Sequence, residues 1–269
     1  MITRVLSVLC AIVILASGLC AAESTVWQIG EFDNCYEDLA IPHDYGAYNA
    51  SFPKDVTFTV GKSDPAKDWP FIHPGPTDAW AQSKAHAFRV IFDLSEQPSG
   101  VYYLTIDLVS AHGGDPPVLS LTMCADGGRI RLPAGPGDGA LGDCAQGREH
   151  VIKLAFPAGM FVKGQNSLTI DIREGSWMLY DAVSLTNDPN ASMPSPTVNR
   201  VSLTPTMFLV KRDGTLKQIV KLSAQCSLGA TEAVVSYGGR RIALKPNFLG
   251  AIEHDLEVDE VKTATTLDV

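Results

Sequence analysis

The stretch AFRVIFDL (87–94) places Phe88, Val90, Phe92 and Leu94 on one parity, with Arg89 and Asp93 among the residues of the other. Successive side chains of an extended chain point to opposite faces, so a period of two marks a half-buried strand and not a helix. The alternation recurs in VTFTV (56–60), VYYLTIDLVSA (101–111), PVLSLTMCA (117–125), HVIKLAF (150–156), NSLTIDI (166–172) and SWMLYDAVSL (176–185). The breaks hold PSG (98–100), GGDPP (113–117), DGG (126–128) and PAGPGDGALGD (133–143), all turn or loop chemistry. Apart from a short turn around 79–85, no helical period appears. With no helices to cover a parallel sheet, the pattern predicts an all-β unit of two antiparallel sheets packed face to face.

A second region follows NDPNASMPSPT (187–197), where Asn, Pro and Ser crowd together; this predicts a linker over 188–198. Alternation resumes in RVSLTP (200–205), MFLVKRDGTLKQIVKLSAQC (207–226) and EAVVSYGGRRIAL (232–244), with DGT (213–215) and YGG (237–239) as hairpin turns. Residues 199–269 fall short of the roughly 100 that a seven-stranded immunoglobulin-like sandwich uses. The expectation is a partial, truncated immunoglobulin-like β-domain belonging to a longer protein, since VDEVKTATTLDV (258–269) reads as a strand without its partner. At the other end, Arg4, the apolar run 5–16 and the small residues before Glu23 have the order of a secretory signal peptide over 1–22. The apolar run is short for a membrane span, so the mature chain is expected to be secreted, periplasmic or extracellular, with no membrane association after signal removal.

Acidic residues outnumber basic ones by 30 to 21, and a formal charge of −9 argues against a nucleic-acid partner. Beyond the leader lie Cys35, Cys124, Cys144 and Cys226, too few for a disulfide-dense scaffold. Cys124 and Cys144 flank a glycine-rich segment, and both a local disulfide and buried free thiols suit them. The histidines, His43, His73, His86, His112, His150 and His254, show no metal-binding HxH or HExxH spacing. No GxSxG elbow, phosphate loop or dinucleotide fingerprint is present, and GPGDGALGD (135–143) reads as a flexible loop.

The aromatic residues concentrate in DWPFIHPGPTDAW (68–80), where Pro70, Pro74 and Pro76 exclude a regular helix and predict a surface loop. Sugar rings offer C–H faces and hydroxyl rims, so a receptor needs flat aromatic surface and planar polar groups. Trp69, Phe71, Trp80, Trp177 and Tyr180 supply the first; His73, Asp78, His112, Asp115, Lys84 and Arg173 supply the second. Trp69 is the expected platform, although Trp69 and Trp80 would equally cap the open end of a sandwich, and Trp177 shares a strand face with Leu179. Lys62, Lys67 and Lys84 around the loop would be the means of holding an acidic polymer.

Several stretches together carry a family resemblance: WQIGEFD (27–33), FTVGKSDPAKDWPFIHPGP (58–76), FPAGMFVKGQNSLTIDI (156–172) and EGSWMLYDAVSL (174–185). They resemble domain III of polysaccharide lyase family 4, the rhamnogalacturonan lyases. The resemblance covers residues 25–187 and implies a jelly-roll β-sandwich of the galactose-binding-like type. It also implies a non-catalytic carbohydrate-binding module whose partner is a polysaccharide or oligosaccharide, plant-type or pectic. No catalytic residue carries over, because the lyase chemistry belongs to a separate domain. The alternative is a rhamnogalacturonan lyase, or the N-terminal part of a larger glycoside hydrolase whose catalytic domain lies outside this chain. No cofactor is required by this reading. Sandwiches of this type often hold a structural calcium between an early strand and the aspartate of the last strand, and Glu31, Asp33 and Asp181 stand at comparable places. The same acids suit turn and cap hydrogen bonds.

Overall fold

The computed structural model describes residues 23–259, except 125, 194, 196, 228, 229, 231, 238 and 248. The expected signal peptide (1–22), the end of the last expected strand (260–269) and Gly238 of the YGG turn lie outside the described residues.

The first sheet region contains ten strands: β1 (Ser24–Ile29), β2 (Val56–Thr59), β3 (Ile72–His73), β4 (Ala87–Leu94), β5 (Val101–Ala111), β6 (Val118–Met123), β7 (Asp126–Arg131), β8 (His150–Pro157), β9 (Gly164–Glu174) and β10 (Met178–Asp188). They form two five-stranded sheets. One runs β1-β10-β5-β8, with β3 also on β10; the other runs β2-β4-β9-β6-β7. The inward parity read from AFRVIFDL is the parity that the core uses: Phe88, Val90 and Phe92 meet Leu104, Ile106 and Leu108 of the facing sheet in one hydrophobic cluster. Each such side chain, fully buried, contributes roughly 1.5–3 kcal/mol.

Among the strands described, pairing is antiparallel except that β2 runs parallel to β4, with Val56 opposite Phe88. The chain from Phe58 to Phe88 makes the crossover that a parallel pair requires, and the aromatic segment lies on that excursion. DGG (126–128) is not a turn but the start of β7, paired with Met123, Thr122 and Leu121 of β6.

The second region has a three-stranded sheet of β11 (Val198–Arg212), β12 (Thr215–Cys226) and β15 (Ala251–Asp259), beside a hairpin of β13 (Ala233–Tyr237) and β14 (Arg240–Leu244). Asp213 and Gly214 turn the chain from β11 into β12 with positive φ at both residues, as the DGT signal predicts. Its core is small, Val220, Leu222, Val235, Leu256 and Val258. The two regions touch where Leu249 packs against the first core and sits over Gly128, whose missing Cβ leaves the space.

Two long loops cover the outer face of β5 and β10. Cys35 and Cys144 form a disulfide, so of the two readings open for Cys124 and Cys144 the bridge between them is not formed and the free thiol holds for Cys124 alone; Cys226 is also free. Tyr36 Oη donates to the carbonyl of Ala140 at 2.7 Å, and Gly135 lies so close to the Ala111 carbonyl that a Cβ would reach it at 1.9 Å. The glycine-rich segment is therefore built into the fold by a disulfide, a hydrogen bond and a close backbone approach.

Candidate functional site

The loop expected on the surface lies inside. Trp69, Phe71 and His73 are fully buried, as are Tyr180 and, to 3% exposure, Trp177. The reason is backbone satisfaction. Prolines exclude a helix, yet the remaining N–H and C=O groups still need partners. Ala40 N donates to the Trp69 carbonyl (2.9 Å), Phe71 N to the Ala40 carbonyl (3.1 Å) and Tyr180 N to the Phe71 carbonyl (2.8 Å), while β3 pairs with β10. This zippering carries the aromatic side chains between the sheets. Trp69 then packs edge-on against Phe88 (5.2 Å) and tilted against Tyr180 (5.3 Å). His73 stacks on Phe88 at 3.7 Å, takes a hydrogen bond from Tyr180 Oη at Nδ1 and gives one from Nε2 to the His86 carbonyl. Burial pushes its pKa down to about 3, so it is a neutral core histidine.

Four of the expected residues, Asp78, Trp80, His112 and Asp115, do come together, at the loop end where the 74–84, 112–117 and 174–177 segments meet. Asp78 is the hub. Its carboxylate accepts hydrogen bonds from Gly75 N (2.7 Å) and Ser176 Oγ, and burial raises its pKa, with these bonds, His112 and Trp80 acting against the rise. Gly75 passes so near Gly175 that a Cβ would lie 2.2 Å from the latter's carbonyl oxygen; glycine is required for the two loops to cross.

Around this hub stand Trp80, half-buried, and the exposed Tyr45, their rings edge to face at 5.3 Å. Asn49 Nδ2 holds the Trp80 carbonyl. On the other side His112 rests edge-on against Trp177 (5.4 Å) and accepts the Asp115 N–H at Nδ1 (2.8 Å). That bond puts the proton of the neutral ring on Nε2, which faces Asp138 Oδ1 at 3.9 Å. Thr77 Oγ1 donates to Asp115 Oδ2 (2.8 Å). The separation of His112 and Asp138 exceeds a direct hydrogen bond, and a hydroxyl lying beside the pair would accept from Nε2 and donate to Oδ1. Tyr45 and Asp138 escaped the sequence reading because each is isolated in sequence from the aromatic segment.

The proposed metal ligands are brought only partly together. Asp33 Oδ1 and Asp181 Oδ1 share the Cys35 N–H at 3.0 and 2.9 Å. Burial, then Asp107, then Asp33 raise the Asp181 pKa to about 7 against two backbone hydrogen bonds, and Asp107 Oδ1 is buried with no partner among the described residues. The Glu31 side chain is exposed and does not close on them. Among the described residues, the cluster that reaches metal-ligand spacing is Cys35, Glu37 and Cys144, and its sulfurs are joined in the disulfide.

A family model described as CBM-like, polysaccharide lyase family 4, domain III, matches residues 25–185. The chain belongs to this family. The match spans every strand of the first region, and the family is of the carbohydrate-binding type, not a catalytic one. A rhamnogalacturonate lyase of Dickeya dadantii (strain 3937) is 27% identical over 172 residues, which is 61% of this chain but 28% of that protein. The chain thus spans little more than a quarter of this curated relative. Among solved structures, CBM35 from Cellvibrio japonicus Abf62 is similar over 40% of this chain and 71% of that one, at 19% identity and a TM-score of 0.26. A family GH115 4-O-methyl-alpha-glucuronidase with specificity for decorated arabinogalactans is similar over 39% of this chain and 14% of that one, at 18% identity and a TM-score of 0.27.

Proposed function

We propose that the family module at 25–187 is a jelly-roll, galactose-binding-like sandwich that holds a neutral oligosaccharide segment of a plant-type or pectic polysaccharide at its loop end. Residues 188–198 would link it to a partial immunoglobulin-like domain beginning at 199. The observation that carries the reading is the pairing of an aromatic edge, Tyr45 and Trp80, with His112, Asp115 and Asp138, which offer one donor and several acceptors to sugar hydroxyls. Carboxylates dominate the polar groups there, and Lys67 is taken by Asp64 at 2.6 Å, so the site favours hydroxyl-rich neutral sugars over acidic ones. The Cys35–Cys144 disulfide supports an exported protein, secreted or periplasmic.

Titration with galactan and arabinan oligosaccharides tests this. Trp80→Ala is expected to weaken binding by about 1–3 kcal/mol and His112→Ala by a similar amount, with little change in unfolding midpoint because both side chains are partly exposed. If both variants bind as tightly as the wild type, the loop end is not the site.

We further propose a structural calcium ion held by Asp181 and Asp33, with Asp107 beside them. The donor set suits a hard cation: Asp107 and Asp33 both help raise the Asp181 pKa, and Asp107 Oδ1 is buried without a partner among the described residues. Glu31 would join only by reorienting. Adding millimolar calcium to chelator-treated protein should raise the melting temperature by several degrees, and Asp181→Asn should abolish the rise. Identical melts with calcium and with chelator would remove the ion from the proposal.

A further inference from the structure

The solvent face of the β2-β4-β9-β6-β7 sheet carries a groove of about 520 Å³ that the loop-end reading does not use. Its size falls within the range of small-ligand sites. Arg89 and Ile91 of β4 and Gln165, Ser167 and Thr169 of β9 line its floor, and Met160 and Val162 form a wall. Register places Thr169 opposite Arg89, Ser167 opposite Ile91, and Gln165 opposite Asp93.

Two features mark the groove as a built site. The wall is fixed by Asn166, a buried side chain whose Oδ1 accepts from Val162 N (3.0 Å) and whose Nδ2 donates to the carbonyls of Val162 (2.8 Å) and Gly164 (2.9 Å). That arrangement spends the Asn166 amide on the turn and sets the groove before a ligand arrives. The second feature is Arg89. The other arginines of this face are engaged in ion pairs: Arg129 and Arg131 share Glu174 at 3.7 and 3.3 Å, and Arg173 holds Asp171 at 2.8 Å. Asp171 is also the carboxylate whose charge Arg89 feels, and Arg173 occupies it. Among the described residues Arg89 itself has no ion pair and no side-chain hydrogen bond.

We propose that this groove is a second saccharide site, selective for a sugar bearing a carboxylate, with Arg89 as its anion-binding residue. A guanidinium takes a carboxylate through two parallel, charge-assisted hydrogen bonds, and a neutral sugar lacks the charge that strengthens them. Ile91 and Met160 offer apolar surface to C–H faces, and Ser167, Thr169 and Gln165 offer hydrogen bonds to hydroxyls. Asp93 fixes the direction. It shares the outward parity of Arg89 and stands four residues along β4, about 13 Å away, so the charged ring lies at the Arg89 end. The module would then grip an acidic polymer backbone on the sheet face and a neutral segment at its loop end.

Calorimetric titration with digalacturonate and with its methyl ester, which keeps the shape and removes the charge, tests the proposal. The acid is expected to bind at least ten-fold more tightly than the ester, and to weaken between 50 and 500 mM salt. Arg89→Gln should lower affinity for the acid about ten-fold with an unchanged melting temperature, while Trp80→Ala should leave it intact. Amide shift perturbations should map to β4 and β9. Equal binding of acid and ester, full affinity in Arg89→Gln, or perturbations centred on His112 would each overturn the second site. None of these results bears on neutral-sugar binding by the loop end, which is read separately with galactan and arabinan.

Discussion

Trp69→Ala should lower the stability of the protein by about 3–5 kcal/mol, the range for removing a large aromatic side chain from a packed core. The residue lies between Phe58 (6.1 Å), Phe88 (5.2 Å) and Tyr180 (5.3 Å), fully buried, so truncation leaves a cavity that neither sheet can close. Its indole Nε1 has no hydrogen-bond partner among the described residues, which means that packing and not polarity holds it there. Trp69→Phe should accordingly cost less than the alanine change. Urea unfolding measures both, and glycan titration of the folded fraction should show affinity within about two-fold of wild type, since Trp69 touches no solvent. An unchanged midpoint together with lost binding would mean that the segment turns outward and stacks on sugar after all.

Removing the Cys35–Cys144 disulfide is the second large effect. The bridge closes a loop across a sequence separation of 109 residues, for which chain-entropy arguments give about 4–5 kcal/mol, and measured values usually run lower. A loss of about 3–5 kcal/mol is expected for the double variant Cys35→Ser/Cys144→Ser, and for wild type unfolded in reductant. The bridge also fastens a contact already made by Tyr36 to Ala140, so the covering loops over β5 and β10 should lose proteolytic protection before the rest of the sandwich does. A reductant that leaves the unfolding midpoint in place would show that the two thiols are not joined.

Strands were legible where one face is buried and the other wet. Phe88, Val90 and Phe92 alternate with the exposed Arg89 and Asp93 and the half-buried Ile91, and Leu168 and Ile170 with the half-buried Ser167 and Thr169 on β9. On β10 the strand was legible but its facing was not, because Met178 through Leu185 are buried on both faces beneath the covering loops. Trp177, just before the strand, and Tyr180 within it are both core residues for this reason and not ligand surface. For the segment at 68–80, proline chemistry excluded a helix correctly but said nothing about which side of the sheet the loop would enter. That depended on Ala40 and Tyr180, distant in sequence, offering it hydrogen bonds. The same distance hid the partner of Cys144. At the loop end Trp80, His112 and Asp115 were legible as residue types suited to sugars, whereas Tyr45 and Asp138 were not, since only the fold brings them alongside. Arg89 looked like any outward polar residue of a strand until its neighbours were seen to be paired.

The pairing of β1 with β10 bears on the order of events during synthesis. Ser24 lies opposite Asn187 and Ile29 opposite Val183, so the first strand of the sandwich waits for the last. At ribosomal rates of roughly 5–20 residues per second, the interval between making Ser24 and making Asn187 is on the order of ten to thirty seconds. During it Trp27 and Ile29, both core residues, have no sheet to join. Folding cannot then proceed from the N-terminus. Pairings made earlier along the chain, such as β5 with β8, precede that of β1 with β10, and β1 is the strand that waits longest for its partner.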